Sequence, residues 1–279
     1  LYAGNALFRF PFWENTMDMG SIANLHLAFN IACTALLLPF HRQLVKLVKA
    51  VVPGDAEERE LSVLDDRFLS SPSLALERAH DAVVQMSEFA RDNYRLAVEL
   101  IWKFDAKKLE RLNETEVALD KLEGLLDNYL VKLTDRALTA EESTRVSELL
   151  HTLSDFERIG DHADNLAGYT RLLVNKDIHF SQAAQNAVAS MRDVALEAIS
   201  SLLHHEAGDP VWLADVAQME QRIDDMTDQF RRDQLDRMRS GVCNEEACIL
   251  YSELLTDFER IGDHVLNIAQ ELTKAQTGL

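Results

Sequence analysis

The same eight residues, Asp-Phe-Glu-Arg-Ile-Gly-Asp-His, occur twice in this sequence, at 155–162 and at 257–264. A second pattern, Glu-x-x-x-Asp, precedes each copy by the length of one helix, at 116–120 and at 220–224. Matched patterns about 100 residues apart indicate one structural unit that the chain uses twice. The predicted repeats are residues 73–175 and 181–275.

Helical periodicity runs through both repeats. Apolar residues recur every three or four positions, as in Leu149, Leu153 and Phe156, which is the spacing of one helix face. Thr139-Ala-Glu-Glu142 is typical of a capped helix start, and Gly241 of a helix end. The sequence therefore predicts an all-α fold, a tandem of two three-helix bundles. The predicted helices lie near residues 73–104, 106–136, 140–175, 181–206, 210–240 and 244–275.

The chain before the repeats contains a long uncharged segment. No Asp, Glu, Lys or Arg occurs between Asp18 and Arg42, and residues 22–40 within it are 19 mostly apolar residues. As a helix they would span about 28 Å, close to the roughly 30 Å of a bilayer core. We expect a transmembrane helix at 22–40, with a buried helix of a soluble protein as the alternative. Its polar residues would face a membrane bundle and serve transport: Asn24, His26, Asn30 and Thr34.

Basic residues follow this segment at Arg42, Lys46 and Lys49. By the positive-inside rule they place the residues after the helix in the cytoplasm. The predicted location is therefore the inner membrane, with residues 53–279 cytoplasmic. A charged and polar stretch that begins with Pro-Gly predicts a linker between two domains. The predicted division of the chain is a membrane segment at 1–52, a linker at 53–72 and a helical domain at 73–279.

The composition and the absence of known motifs argue against several classes of function. The chain has 47 Asp and Glu against 28 Lys and Arg, which gives a net charge of −19. Because nucleic-acid binders usually present a basic surface, we expect no nucleic-acid partner. The sequence has no glycine-rich phosphate loop, no Gly-x-Ser-x-Gly and no His-Glu-x-x-His. It offers no recognisable catalytic nucleophile either, and we predict that the protein is not an enzyme.

The Glu-x-x-x-Asp pattern occurs twice in each repeat, on consecutive predicted helices. Residues four apart lie on one helix face, so each pattern places two carboxylates side by side, where they repel. If consecutive helices are antiparallel, the two pairs of a repeat face each other and need cations. Such all-oxygen sites suit hard metals such as Mg²⁺, Mn²⁺, Ca²⁺ or iron. The predicted metal ligands are Glu116, Asp120, Glu157 and Asp161 in the first repeat and Glu220, Asp224, Glu259 and Asp263 in the second.

Neighbouring residues bear on this prediction. His162 and His264 follow the last Asp of each site and could add a nitrogen ligand, which favours iron, manganese or zinc. Arg158 and Arg260 could instead neutralise the carboxylates without metal, and exposed carboxylates are often no more than a solvated helix face. Each octapeptide contains a glycine, which lowers the stability of a helix by about 1 kcal/mol. Because the glycine occurs at the same place in both copies, it indicates close approach of a neighbouring helix or ion.

A duplicated Glu-Arg-Ile-Gly-Asp motif, with Glu-x-x-x-Asp one helix earlier, resembles the PhoU proteins over roughly residues 73–275. Members of that family are tandem three-helix bundles that regulate phosphate uptake, and they can carry multinuclear iron or other metal clusters on these motifs. The resemblance implies the same eight carboxylates as ligands of divalent or ferric ions, iron first, with manganese, magnesium or zinc as alternatives. It also implies Asp155 and Asp257 as outer partners of the two sites.

The front of the chain resembles a second family. Residues 22–40 look like the last membrane helix of bacterial Na⁺/phosphate cotransporters, and residues 64–77 look like that family's join to a C-terminal PhoU-like domain. This resemblance implies the end of a symporter, in which residues 1–52 are a remnant of the membrane domain and the repeats are its regulatory, metal-binding domain. Inorganic phosphate would be the substrate and Na⁺ the coupling ion, both handled by a transport core whose Gln-Ser-Ser signatures this sequence does not contain.

Two alternatives remain open beside the symporter. The first is a stand-alone PhoU-type regulator that acts on a phosphate ABC transporter and a sensor kinase. The second is a di-iron carboxylate oxidoreductase, because Glu77-x-x-His80 has the spacing used in such helical bundles. Those bundles use two copies of this motif, whereas this sequence has one. For a regulatory function we expect a protein partner or a homodimer.

Overall fold

The computed structural model describes residues 19–37, 64–203, 210–241 and 245–277 of the chain. Residues 1–59 and 60–279 are two compact units, and every regular element described in either unit is helical. The elements are α1 (Met19–Leu37), a 3₁₀ turn (Asp66–Ser70), α2 (Pro72–Trp102), α3 (Ala106–Thr134), α4 (Ala140–Asn175), α5 (Gln182–Ser201), α6 (Pro210–Arg239) and α7 (Glu245–Thr277).

Local capping interactions form several of the helix ends. Thr139 Oγ1 accepts a hydrogen bond from the Glu142 backbone N–H over 3.2 Å, and the Glu142 carboxylate accepts one from the Thr139 N–H over 2.9 Å. The capping box predicted at the start of α4 is therefore confirmed. Asp105 and Ser181 accept backbone N–H groups in the same way at the starts of α3 and α5. Gly241 follows α6 with a φ of +66°, the left-handed conformation that commonly ends a helix.

The two three-helix bundles share one hydrophobic core. Helices α2, α3 and α4 pack against one another, as do α5, α6 and α7. The bundles meet where α4 packs against α7 and α2 packs against α5. Tyr94 of the first repeat and Phe258 of the second are fully buried, and their rings meet edge to face with centroids 6.3 Å apart. The repeats are therefore halves of one packed body.

The predicted all-α fold and the six predicted helices of the repeats are confirmed. The fourth of these is shorter than predicted, since α5 ends at Ser201 and residues 204–209 lie outside the described residues. Part of the predicted linker is packed: Leu69 of the 3₁₀ turn is buried, and the turn contacts α2. The division into residues 1–52, 53–72 and 73–279 stays a prediction.

The predicted membrane helix has no support in the structure. Helix α1 includes most of the predicted span, whereas residues 38–40 lie outside the described residues. A bilayer crossing needs about 20 predominantly apolar residues, and none of the helices that the structure describes meets that requirement. Four polar residues lower the mean hydropathy of α1, and all four are exposed: Asn24, His26, Asn30 and Thr34.

The predicted inner-membrane location is therefore wrong. The assignment of residues 53–279 to the cytoplasm depended on that span and on three basic residues, Arg42, Lys46 and Lys49, which lie outside the described residues. The transport role predicted for the polar residues of α1 also required a membrane helix, so it loses its basis.

Candidate metal centres

The first acidic cluster lies where α3 packs against α4. Helix α3 carries Glu116 and Asp120, and α4 carries Glu157 and Asp161. Burial, and after it the charges of neighbouring carboxylates, raises the pKa of Glu116, Asp120 and Glu157. Asp161 is among those neighbours in all three cases. The packing expected from the sequence therefore places the four predicted residues on two helices in contact, and Asp161 acts on the other three, but their oxygens do not converge as closely as those described below for the second repeat.

Glu116 is strongly perturbed. Burial, and after it the charge of Asp120, raises its pKa to about 7, against a hydrogen bond from Asn93 that lowers it. Asn93 Nδ2 donates this bond to Glu116 Oε2 over 2.7 Å. The carboxyl group lies against Gly160, where an added Cβ would be 3.1 Å from Oε2. The carboxyl group of Glu116 therefore lies between Asn93 of α2 and the backbone of α4.

The second acidic cluster lies where α6 packs against α7. Glu220, Asp224 and Asp263 each offer a carboxylate oxygen, and the three oxygens lie within 4.8 Å of one another. Among the described residues, no other group of three or more acidic, histidine or cysteine side chains converges in this way. The fourth predicted ligand, Glu259, makes an ion pair of 3.0 Å with Arg231 of α6. Three of the four predicted residues are therefore assembled.

In both clusters, the nearby arginine side chains neutralise only part of the negative charge of the carboxylates. In the second cluster, burial and then the charge of a neighbouring Asp raise the pKa of Glu220 and Asp224. The arginines of the two octapeptides are present but exposed: Arg158 lies 3.8 Å from Asp161, and Arg260 lies 3.3 Å from Asp263. Because exposed ion pairs of this kind are weak, a bound cation would relieve repulsion that the arginines leave.

The glycine of each octapeptide lies at a close approach between helices. A Cβ on Gly160 would overlap Cδ2 of Leu119 on α3, and a Cβ on Gly262 would lie 3.2 Å from Cδ1 of Ile223 on α6. The predicted close approach of a neighbouring helix is confirmed. It allows the acidic faces of the paired helices to meet.

The remaining predicted partners pair with one another across the repeats. His162 Nδ1 lies 2.7 Å from Asp257 Oδ1, and His264 Nδ1 lies 2.8 Å from Asp155 Oδ1. The two imidazole rings stack with centroids 5.6 Å apart. These crossed pairs join α4 to α7 at the junction of the repeats. A role for these residues as metal partners stays a prediction.

Sequence reasoning missed four residues beside the clusters: Asn93, Glu123, Asp164 and Arg231. Asn93 is fully buried among apolar residues of α2, and this break in the apolar pattern was the available signal. Glu123 and Asp164 continue the acidic faces of α3 and α4, and their charges act on the predicted ligands. Arg231 could be found only in the structure, because its partner lies on another helix.

Both repeats are similar in sequence to known proteins. A family model described as the PhoU domain matches residues 83–170 and 184–272. A relative from Xylella fastidiosa strain Temecula1, named a phosphate-specific transport system accessory protein PhoU homolog, is 26% identical over 197 residues, or 71% of this chain and 81% of the relative. PhoU homolog 1 of Thermotoga maritima is 24% identical over 226 residues, or 79% of this chain and 89% of the relative.

Two solved structures share the fold. The phosphate transport system regulatory protein PhoU from Streptococcus pneumoniae has a TM-score of 0.65 at 18% identity, over 75% of this chain and 98% of that protein. PhoU from Pseudomonas aeruginosa has a TM-score of 0.60 at 21% identity, over 73% of this chain and 98% of that protein. The fold of the repeats is therefore PhoU-like.

The matched segments cover both helical repeats and more than half of the chain. They support the PhoU part of the predicted resemblance. They give no support to the cotransporter part, which rested on residues 22–40 and 64–77. The chain belongs to the PhoU domain family.

Proposed function

We propose that this protein is a PhoU-type regulator of phosphate transport that binds metal ions at two acidic clusters. Its relatives are named accessory or regulatory proteins of a phosphate transport system. Those names support the stand-alone regulator over the symporter. Because Na⁺ coupling was inferred from the predicted membrane helix, it is not part of this proposal. The proposed partner is a protein of the phosphate transport system, with a second copy of this chain as the alternative. This function requires binding and no catalytic step.

The convergence of Glu220, Asp224 and Asp263 carries the metal proposal. Carboxylate oxygens within 4.8 Å of one another repel unless they take up protons or a cation. Burial, and after it this repulsion, raises the pKa of both Glu220 and Asp224. Oxygen donors suit hard divalent and ferric ions. The resemblance to PhoU proteins puts iron first, with manganese, magnesium and zinc as alternatives.

The residues of each cluster come from two helices, which gives metal binding a structural effect. Glu220 and Asp224 belong to α6 and Asp263 to α7, so a shared ion would tie these helices together. The matching residues of the first repeat would tie α3 to α4. When bound, the ion supplies positive charge that neutralises part of each acidic face. Binding to the folded chain would stabilise it and change the surface that a partner meets.

A di-iron oxidoreductase has no comparable support. Glu77 and His80, which suggested that function, are both exposed on α2. The named relatives are transport accessory proteins.

The metal proposal is tested by calorimetric titration of Mn²⁺ into the metal-free chain and into Glu220→Gln plus Asp224→Asn. We expect the unsubstituted chain to bind at both repeats and the double variant to lose the second-repeat site. Glu110→Gln plus Glu114→Gln is the matched control, because these exposed residues have the same spacing on α3. An unsubstituted chain that binds neither Mn²⁺ nor iron, or equal losses in both double variants, would refute the proposal.

The regulatory proposal is tested by deleting the gene for this chain in its host and measuring uptake of radiolabelled phosphate. We expect the deletion to change uptake at high external phosphate and re-expression of the chain to restore it. Chain that is re-expressed with both clusters neutralised should fail to restore regulation. Identical uptake in the presence and absence of the gene would contradict the proposal.

A further inference from the structure

Asn93 of α2 is a fully buried polar residue that makes contact with the first acidic cluster. Its Nδ2 donates a hydrogen bond of 2.7 Å to Glu116 Oε2, whereas no described residue bonds to its Oδ1. A buried polar atom without a partner is destabilising, and an apolar side chain of similar size would avoid that cost. The single bond to a candidate metal ligand therefore calls for a functional explanation.

The carboxyl group of Glu116 is held from two sides. Asn93 bonds to it from α2, and on the α4 side a Cβ at Gly160 would lie 3.1 Å from Oε2 and 3.4 Å from Oε1. Because Gly160 has no Cβ, the carboxyl group can lie against the α4 backbone. All three helices of the first bundle thus set its orientation.

The second repeat is arranged differently. The three atoms nearest to a Cβ on Gly262 all belong to Ile223, so that no carboxyl group fills this place. Glu220 instead converges with Asp224 and Asp263. The second repeat therefore provides an internal reference for the first.

We propose that Asn93 is a positioning residue of the first-repeat cation site, which holds Glu116 through Oε2 and fixes its carboxylate at the cluster. The inference rests on the metal binding proposed above. Hydrogen bonds to metal-binding carboxylates support affinity, and their removal typically weakens metal binding about 10- to 100-fold. The same loss is expected here in the first repeat and not in the second.

The test isolates the first-repeat site in the full chain. Glu220→Gln plus Asp224→Asn leaves only the first repeat to bind Mn²⁺, and Asn93→Leu or Asn93→Ala is added to this background. We expect both Asn93 changes to raise the Mn²⁺ dissociation constant about 10- to 100-fold, with no fall in the thermal midpoint of the metal-free Asn93→Leu protein. Ser87→Ala is the control, because Ser87 is buried on the same helix and bonds to the Val84 carbonyl.

A second set of variants, in which the first-repeat ligands are removed, distinguishes a positioning role of Asn93 from a general loss of structure. In Glu116→Gln plus Asp120→Asn, only the second repeat is left, and Asn93→Leu should not change its Mn²⁺ affinity. An equal loss there, or unchanged first-repeat affinity in a folded Asn93 variant, would overturn the inference and leave the metal proposal standing. If the unsubstituted chain bound no Mn²⁺ at either repeat, the metal proposal itself would fail and take the inference with it.

Discussion

The two acidic clusters contain identical octapeptides, yet their carboxylates have different surroundings. In the first repeat, Glu116 is partly buried, bonded by Asn93 and has a pKa of about 7. In the second, Glu220 converges with Asp224 and Asp263. An identical motif therefore does not determine an identical site. The residues that pack onto the motif decide how its carboxylates are arranged.

The two clusters also differ in the charged residues that lie outside the octapeptides. Asp127 and Arg231 occupy matching places, since each lies eleven residues after the first Glu of its repeat's pattern. Burial and then the charge of Asp127 raise the pKa of Glu123 in the first repeat. Arg231 instead pairs with Glu259 at 3.0 Å in the second. Glu259 therefore has a closer arginine than its counterpart Glu157, which lies 3.7 Å from Arg158.

The crossed His–Asp pairs give the largest expected difference between the halves. The side chain of Asp257 is 7% exposed and that of Asp155 is 18% exposed. Removing one partner of a buried pair leaves the other unsatisfied. We therefore expect Asp257→Ala to lower the free energy of unfolding by about 3 kcal/mol and Asp155→Ala by about 1.5 kcal/mol. Urea unfolding of the metal-free proteins measures both, and equal losses would remove burial as the distinguishing factor.

The two octapeptide glycines give the next difference. A Cβ on Gly160 overlaps Leu119, which is fully buried, whereas a Cβ on Gly262 makes only a tight contact of 3.2 Å with Ile223. Overpacking costs about 1–3 kcal/mol, and replacing helical Gly by Ala gains about 1 kcal/mol. Because the overlap at Gly160 is severe, we take the upper end of the overpacking cost there and expect Gly160→Ala to destabilise by about 2 kcal/mol, with Gly262→Ala within about 0.5 kcal/mol of the unsubstituted chain. A more harmful Gly262→Ala in thermal unfolding would reverse the comparison.

Glu116 should make stability depend on pH. Its pKa rises from 4.5 to about 7 on folding, so the folded chain binds the extra proton between these values. The stability it contributes is present below pH 4.5 and is lost as the pH rises through 7. After allowance for partial exposure, metal-free Glu116→Gln should be about 1–2 kcal/mol more stable than the unsubstituted chain at pH 8, and equal to it near pH 4.5.

Glu220→Gln is the matched control for this pH profile. Burial and then the charge of Asp224 raise the pKa of Glu220 in the same direction. Because Glu220 is less enclosed by its neighbours, we expect its substitution to give a smaller gain at pH 8. A gain as large as that of Glu116→Gln would remove the electrostatic distinction between the two clusters.

Arg231 gives the smallest expected effect. Replacing it with Gln removes the cation beside Glu259, so Mn²⁺ affinity at the second repeat should rise about three- to tenfold. Arg239→Gln on the same helix is the control, because Arg239 pairs with Asp236 on an exposed surface. Calorimetry in the Glu116→Gln plus Asp120→Asn background measures the second site alone. Affinity that stays the same or falls would show that Arg231 does not compete with the cation.

Much of the fold followed from local patterns. The capping box at Thr139 and the helix end at Gly241 form as predicted, because each depends on residues within one turn. The predicted membrane helix failed because the absence of charge was given more weight than the polar residues within the segment. Absence of charge alone does not make a helix sufficiently apolar to enter a bilayer.

By itself, the sequence determined the internal repeat, the helices and the acidic faces that the paired helices of each repeat present to each other. Helix periodicity and the Glu-x-x-x-Asp spacing are properties of single helices, so they can be read along the chain. Only the tertiary structure decided that Asn93 bonds Glu116, that Arg231 pairs with Glu259 and that His162 crosses to Asp257. Each of these pairs joins different helices, and packing across the bundle determines which side chains lie within bonding distance.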